Sequence, residues 1–162
     1  MRAIVAAAPD WGIGDGKGML YSIPGDLKYF REQTKGHTVI MGRKTLESLP
    51  GGRVLPKRRN IILSRDRKLK VPGAYVCHSV GELLSLLEAL DEKDAFVIGG
   101  GEIYQKLLPY CESALVTQVE QAPPIQPSVF FPDLEEAGWH LTKKSAPQEE
   151  NGLTYTFTEW KP

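Results

Sequence analysis

Six short apolar runs in the first 120 residues constrain this chain most: Arg2–Ala8, Thr38–Met41, Arg59–Ser64, Ala74–His78, Ala95–Ile98 and Ser113–Glu120. Runs this short, bounded by glycine, proline or charge, read as strands buried on both faces. Helical segments over Asp26–Thr34, Arg43–Leu49, Val80–Leu90 and Glu102–Leu108 separate several of them. Apolar strands joined through helices pack as a parallel sheet. After Glu120 the pattern changes. Trp139–Lys143 and Leu153–Trp160 alternate with period two, as half-exposed antiparallel strands do, with Asn151-Gly152 in the turn between them. The expected fold is α/β: one domain over 1–162, with an eight-stranded, mixed, mainly parallel sheet, an antiparallel C-terminal strand and four flanking helices.

The stretch Met19–Phe30 places one carboxylate in apolar company. Pro24 and Gly25 mark a turn, and the following helix brings Asp26, Leu27 and Phe30 to one side while Lys28, Arg31 and Glu32 reach solvent. Asp26 has an ordinary reading as a helix cap or first-turn acid. Its surroundings, Met19, Leu20, Tyr21, Leu27 and Phe30, support another: a buried carboxylate needs a partner, and a flat ligand with two adjacent N–H donors supplies one.

Glycine marks three further places. Between Trp11 and Gly18 it occupies every second position from 12 to 18, which denies the segment regular structure and makes it a candidate moving loop just before Asp26. Gly42 leads into Arg43, Lys44 and Thr45 at a helix start, where backbone N–H groups, a guanidinium and a hydroxyl gather as anion ligands or as a solvated surface. Gly99, Gly100 and Gly101 form a strand-to-helix turn without side chains, so a ligand can reach the backbone; one glycine usually suffices for a tight crossover. By contrast Val80, Leu83, Leu84, Leu87 and Leu90 repeat at helical spacing behind a Ser79/Glu82 capping box and read as scaffold.

Composition excludes several functions. Twenty basic and twenty acidic residues cancel without long blocks, so neither a nucleic-acid nor a membrane partner is expected. His37, His78 and His140 lack ligand spacing, and no metal is expected. Cys77 and Cys111 suit reduced thiols better than a disulfide. The apolar start Ala3–Ala8 is too short for a signal segment, so a soluble, cytoplasmic protein is expected.

Taken in order, five motifs resemble dihydrofolate reductase of the bacterial type over essentially the whole chain. They are Gly18–Phe30 with its Pro-x-Asp-Leu-x-x-Phe, Val39–Thr45, Leu55-Pro56-x-Arg58-x-Asn60, Ile98–Tyr104, and Phe131-Pro132-Asp133. The resemblance implies reduction of 7,8-dihydrofolate by hydride from NADPH, with a proton added at the pterin N5. It implies Asp26, Tyr21 and Thr117 as catalytic residues, with Thr117 bonding the carboxylate. Val5, Ala6, Asp26, Leu27, Phe30, Arg31, Leu49, Leu55, Arg58, Ile98, Tyr104 and Thr117 would line the substrate, and Arg58 would anchor its tail carboxylate. Tyr21 departs from the tryptophan more frequent in bacterial members.

For NADPH the resemblance implies Ala7, Ile13, Gly14, Met19, Gly42, Arg43, Lys44, Thr45, Leu63, Ser64, Arg65, Ile98, Gly99, Gly100, Gly101, Glu102, Ile103 and Tyr104, with a cis peptide between Gly99 and Gly100. Antifolate inhibitors would share the substrate site, and a monomer is expected. The loop from Pro123 to Phe130 lacks the Gly-Asp pattern that commonly latches the glycine-rich loop, so closure is expected to rely on cofactor contacts, with Gln126 or Ser128 giving at most one neutral hydrogen bond. A pyrimidine reductase of riboflavin synthesis shares the implied fold and cofactor; Asp26 and Arg58 favour the folate reading. A nucleotide-binding protein without catalysis, or an interaction module, would tolerate the loss of Asp26.

Overall fold

The computed structural model describes residues 1–162. In chain order the strands are β1 (Arg2–Ala7), β2 (Gly12–Gly14), β3 (Thr38–Gly42), β4 (Arg59–Leu63), β5 (Ala74–Cys77), β6 (Ala95–Gly99), β7 (Ser113–Val119), β8 (Val129–Phe130), β9 (His140–Lys144), β10 (Gln148–Glu150) and β11 (Leu153–Lys161). The helices are α1 (Pro24–Thr34), α2 (Arg43–Ser48), α3 (Val80–Ala89) and α4 (Gly101–Leu107). The main sheet runs β10-β11-β7-β1-β6-β3-β4-β5, with β9 also paired to β11. All neighbours from β7 to β5 are parallel, and β11 joins β7 antiparallel. The expected mixed, mainly parallel α/β sheet is therefore present.

Nine strands fill eight places because β9 and β10 share one edge of β11. β10 pairs with Leu153–Tyr155 and β9 with Thr158–Lys161, while β7 holds the opposite edge over Tyr155–Trp160. The Asn151-Gly152 turn, with φ of 53° and 76°, joins β10 to β11 rather than joining the two long strands directly. The short strand Gln148–Glu150 is missed by sequence reading because Pro147 breaks the run before it.

Two further differences concern the site. α1 begins at Pro24, not Asp26, since proline in the first turn sacrifices no helical donor and presets φ. Gly12–Gly14, expected to lack regular structure, is strand β2. It pairs antiparallel with β8, Gly12 opposite Phe130 and Gly14 opposite Val129. Glycine is needed at position 12 for a close approach: a Cβ there would lie 2.6 Å from Pro127.

The core of 20 buried residues includes Ile40, Ile61, Leu83, Val97, Leu107, Val116, Phe131 and Leu134. Leu83 and Leu87 bury the α3 stripe, and the Ser79 hydroxyl accepts from the Glu82 N–H as the capping box requires. Between β1 and β6 the sheet opens. β1 pairs with β7 along Arg2–Ala7 but with β6 only at Arg2 and Ala3. On its other side β6 bulges, Ile40 facing Val97 and Met41 facing Gly99, so that Ile98 is extra. A bulge bends its strand. The chain also reverses its direction of winding here, since β6 sits between β1 and β3 and β7 lies beyond β1. Crevices at the carboxyl ends of such strands are where open α/β sheets bind ligands.

Candidate active site

Asp26 stands beside this opening. It lies in the first turn of α1, whose N-cap residue is Ile23 and which has no side-chain cap. The Thr117 hydroxyl on β7 donates to Asp26 Oδ1 at 2.6 Å. Oδ2 takes no hydrogen bond from the protein. Burial raises the carboxyl pKa, and the Thr117 bond opposes that shift. A charge-assisted bond of this kind is worth about 1.5–3 kcal/mol.

The start of α1 is set by a residue absent from sequence reasoning. Glu150, at the end of β10, accepts from the Gly25 N–H at 2.8 Å. A Cβ at Gly25 would lie 2.5 Å from the Tyr155 hydroxyl and 2.9 Å from Glu150 Oε1, so both side-chain ends would have to move aside. A small hydrophobic patch of Ile23, Val119 and Tyr155, with Tyr21 against it, fills the space behind. No local pattern marks Glu150, because its role depends on a hairpin 125 residues away.

Along the helix, Phe30 packs on Ile4, Phe96 and Leu115, together with Ile98. Leu27 shares the helix with Asp26 but is 45% exposed, and Met19 is 68% exposed, so the apolar enclosure expected around the carboxylate is open in this structure. Leu49 and Leu55 rest on the cluster of Val39, Met41, Leu46 and Ile62. Arg58 extends towards Phe30, its guanidinium carbon 6.0 Å from the ring centre. Its Nε is buried without a partner. Desolvation, then the like charge of Arg31, holds the Arg58 guanidinium below its usual value. Two neighbouring cations and an orphaned donor form a place for an anion.

On the other side, Val5, Ala6 and Ala7 end β1, and Ile98 and Gly99 end β6. Tyr104 of α4 donates from its hydroxyl to the Ile4 carbonyl at 2.7 Å. That carbonyl lies just past the last β1–β6 pair, so the phenol replaces a missing strand partner. Burial pushes the Tyr104 phenol well above the ordinary range, with the Asp26 charge as a further cause, and it stays a donor.

The starts of α2 and α4 meet over bare backbone. Gly42 and Gly100 precede them, and neither helix has a side-chain cap. A Cβ on Gly42 would lie 2.9 Å from Ile103, and one on Gly99 3.1 Å from the Thr45 hydroxyl. The Gly99–Gly100 peptide is cis. Arg43 pairs with Glu47 at 3.1 Å and Asp66 at 3.4 Å, while Glu102 pairs with Lys106 at 3.0 Å. Arg65 and Lys44 are exposed nearby. Ser64 follows β4, and its carbonyl contacts His78 Nδ1 at 2.9 Å, which brings in a histidine that the sequence left unassigned. Leu63 buries its side chain in the core.

Ile13 and Gly14 lie in β2, and Met19 bridges Gly14. The Tyr21 hydroxyl donates to the Gln121 carbonyl at 2.7 Å. No cluster of three or more histidine, cysteine or acidic residues can hold a metal ion. No helix is long and apolar enough to cross a membrane.

The family model of dihydrofolate reductase matches residues 1–162. The dihydrofolate reductase of Staphylococcus haemolyticus is 35% identical over 156 residues, covering 95% of this chain and 90% of that one. The bifunctional dihydrofolate reductase-thymidylate synthase of Glycine max is 36% identical over 177 aligned positions, covering 98% of this chain. This chain spans only 33% of that longer protein. Among solved structures, the dihydrofolate reductase from Enterococcus faecalis complexed with NADP(H) and RAB-propyl superposes with a TM-score of 0.85 at 27% identity, over 99% of this chain and 94% of that one.

Proposed function

The chain belongs to the dihydrofolate reductase family, and from that premise we propose that it reduces 7,8-dihydrofolate to tetrahydrofolate, taking hydride from NADPH C4 onto pterin C6 and a proton onto N5. The observation that carries this reading is the Asp26–Thr117 pair beside the β1–β6 opening, with one carboxylate oxygen held and the other open. The open edge suits adjacent N–H donors, here the pterin 2-amino group and the neighbouring ring nitrogen.

Thr117 fixes the carboxylate. Asp26 orients the pterin and, when ionised, favours a positive charge developing at N5; the proton itself comes from water. Phe30 and Leu27 pack against the ring, and Leu49 and Leu55 flank the p-aminobenzoyl group. Arg58, with Arg31 beside it, takes the glutamate carboxylate through its unpartnered donor. Antifolates with the same pair of adjacent donors compete at Asp26.

The glycine cradle fits a dinucleotide. Side chains at Gly42 and Gly99 would fill the space over which the α2 and α4 starts approach each other. Bound there, NADPH supplies the hydride. The first-turn groups of α2 and α4, with Arg43, Lys44 and Thr45, hold the pyrophosphate; Ser64, Arg65 and Arg43 hold the 2′-phosphate; Ala6, Ala7 and Ile98 border the nicotinamide.

Loss of NADPH absorbance on adding dihydrofolate tests the proposal. No oxidation with dihydrofolate, but oxidation with a ribosylated pyrimidine, would assign the chain to the pyrimidine reductase reaction instead.

A further inference from the structure

Asn60, at the second position of β4, is only 2% exposed, and its amide makes three hydrogen bonds to the backbone. Its Oδ1 accepts from the Leu55 N–H at 2.9 Å, and its Nδ2 donates to the Leu55 carbonyl at 2.9 Å and the Arg58 carbonyl at 3.0 Å. The segment between them has no strand or helix to hold it. Pro56 cannot donate from its backbone, and Lys57 turns the chain at φ 59°. One buried side chain thus supplies both groups of Leu55 and one of Arg58 with their partners, much as a strand neighbour would. The backbone of Asn60 is itself fixed between β3 and β5, opposite Val39 and Ala74.

Two side chains leave this clasp for neighbouring clusters that share Ile98. Leu55 goes to the hydrophobic cluster of Val39, Met41, Leu46 and Ile62, and Arg58 goes over Phe30 with its Nε unpartnered. A guanidinium reads a carboxylate by direction as well as by charge, so its carrier must be held at a set angle to the wall beside it. We propose that Asn60 is the positioning residue for the tail of the substrate: it couples the apolar wall at Leu55 to the cation at Arg58, so that an aromatic group and a carboxylate one linker apart are held together. It touches neither substrate nor cofactor. The proposal rests on the reading of Arg58 as the carboxylate anchor.

A purely structural role for Asn60 would lower the active fraction alike for every substrate. The positioning role is specific to the tail. The test compares dihydrofolate with a dihydropterin lacking the p-aminobenzoyl-glutamate tail, measured on the same preparations of wild type, Asn60→Ala, Asn60→Asp and Arg58→Ala. Asn60→Asp keeps the oxygen facing Leu55 and loses one donor as the neutral acid, both as the carboxylate. The quantity read is the ratio of kcat/KM for the two substrates, which is independent of how much protein is folded.

In both Asn60 variants the preference for the tailed substrate should fall by about tenfold, the scale of one charge-assisted hydrogen bond. The loss should lie in the KM for dihydrofolate, with kcat and the KM for NADPH within about threefold of wild type. Arg58→Ala should lower the same ratio. An unchanged ratio in the Asn60 variants, with a lowered one in Arg58→Ala, overturns the positioning role and leaves the anchor standing. An unchanged ratio in Arg58→Ala overturns the anchor and the proposal together.

Discussion

The Tyr21 hydroxyl donates to the Gln121 carbonyl at 2.7 Å, joining residues 100 positions apart. Gln121 is itself clamped: its Oε1 accepts from the Thr154 N–H at 2.7 Å, and its Nε2 donates to the Thr154 hydroxyl at 3.1 Å. The chain entering α1 is therefore tied to the end of β7 and, through it, to β11. Burial and the charge of Asp10 raise the Tyr21 pKa, so the phenol remains a donor at neutral pH.

Tyr21→Phe should loosen this tie. A neutral hydrogen bond contributes about 0.5–1.5 kcal/mol net. Single-turnover hydride transfer should fall by no more than about tenfold. Amide exchange at Asp26 and Leu27, whose N–H groups donate to the Ile23 carbonyl, should accelerate. A fall beyond a hundredfold in the hydride step would instead place the phenol in the proton path.

At the other end of the glycine-rich segment the ties are backbone ones. Ser128 N–H donates to the Gly14 carbonyl at 2.9 Å, and Phe131 N–H to the Trp11 carbonyl at 2.8 Å. Side-chain truncation leaves both in place. Ser128→Ala and Gln126→Ala should each slow hydride transfer by less than about tenfold, the equivalent of 1.4 kcal/mol. A larger loss in rapid-mixing measurements, with NADPH affinity intact, would reveal a side-chain latch.

Asp26→Asn should keep NADPH binding and lose turnover at neutral pH by about a hundredfold or more, with a smaller deficit in acid, where protonated substrate is available. Its stability should change in the opposite sense. The folded-state pKa of Asp26 is raised by burial, so the unfolded chain releases this proton first as pH rises. Relative to Asn, the acid is equally compatible with folding below the unfolded carboxylate pKa. It becomes destabilising as pH climbs through the folded value. Asp26→Asn should therefore melt higher than wild type at pH 7, and the gap should close in acid; a lower melting point at pH 7 would contradict the burial cost.

Arg43 spends its donors on Glu47 and Asp66, both partly exposed pairs that contribute little to stability. They leave the guanidinium available to a stronger anion. Arg43→Ala/Arg65→Ala should narrow the preference for NADPH over NADH while thermal stability stays nearly constant. An unchanged ratio of kcat/KM for the two cofactors would move the 2′-phosphate site elsewhere.

Sequence alone determined the order of strands and helices, because burial on both faces and helical spacing leave local hydrophobic patterns: β1, β3, β4, β5, β6 and β7 and all four helices lie within one or two residues of their expected bounds. The same locality made Asp26 legible, with a turn before it and apolar neighbours around it. What only the tertiary structure decided is what depends on contacts between distant segments. The early parting of β1 from β6, the pairing of β2 with β8 and the division of one edge between β9 and β10 are backbone matches with no pattern of their own. So too with partners: Glu150 on Gly25, Tyr21 on Gln121 and Asn60 on Leu55 and Arg58 are hydrogen bonds whose donors and acceptors exist in any conformation. Only folding brings them within 3 Å, and only burial makes leaving them unpaired costly.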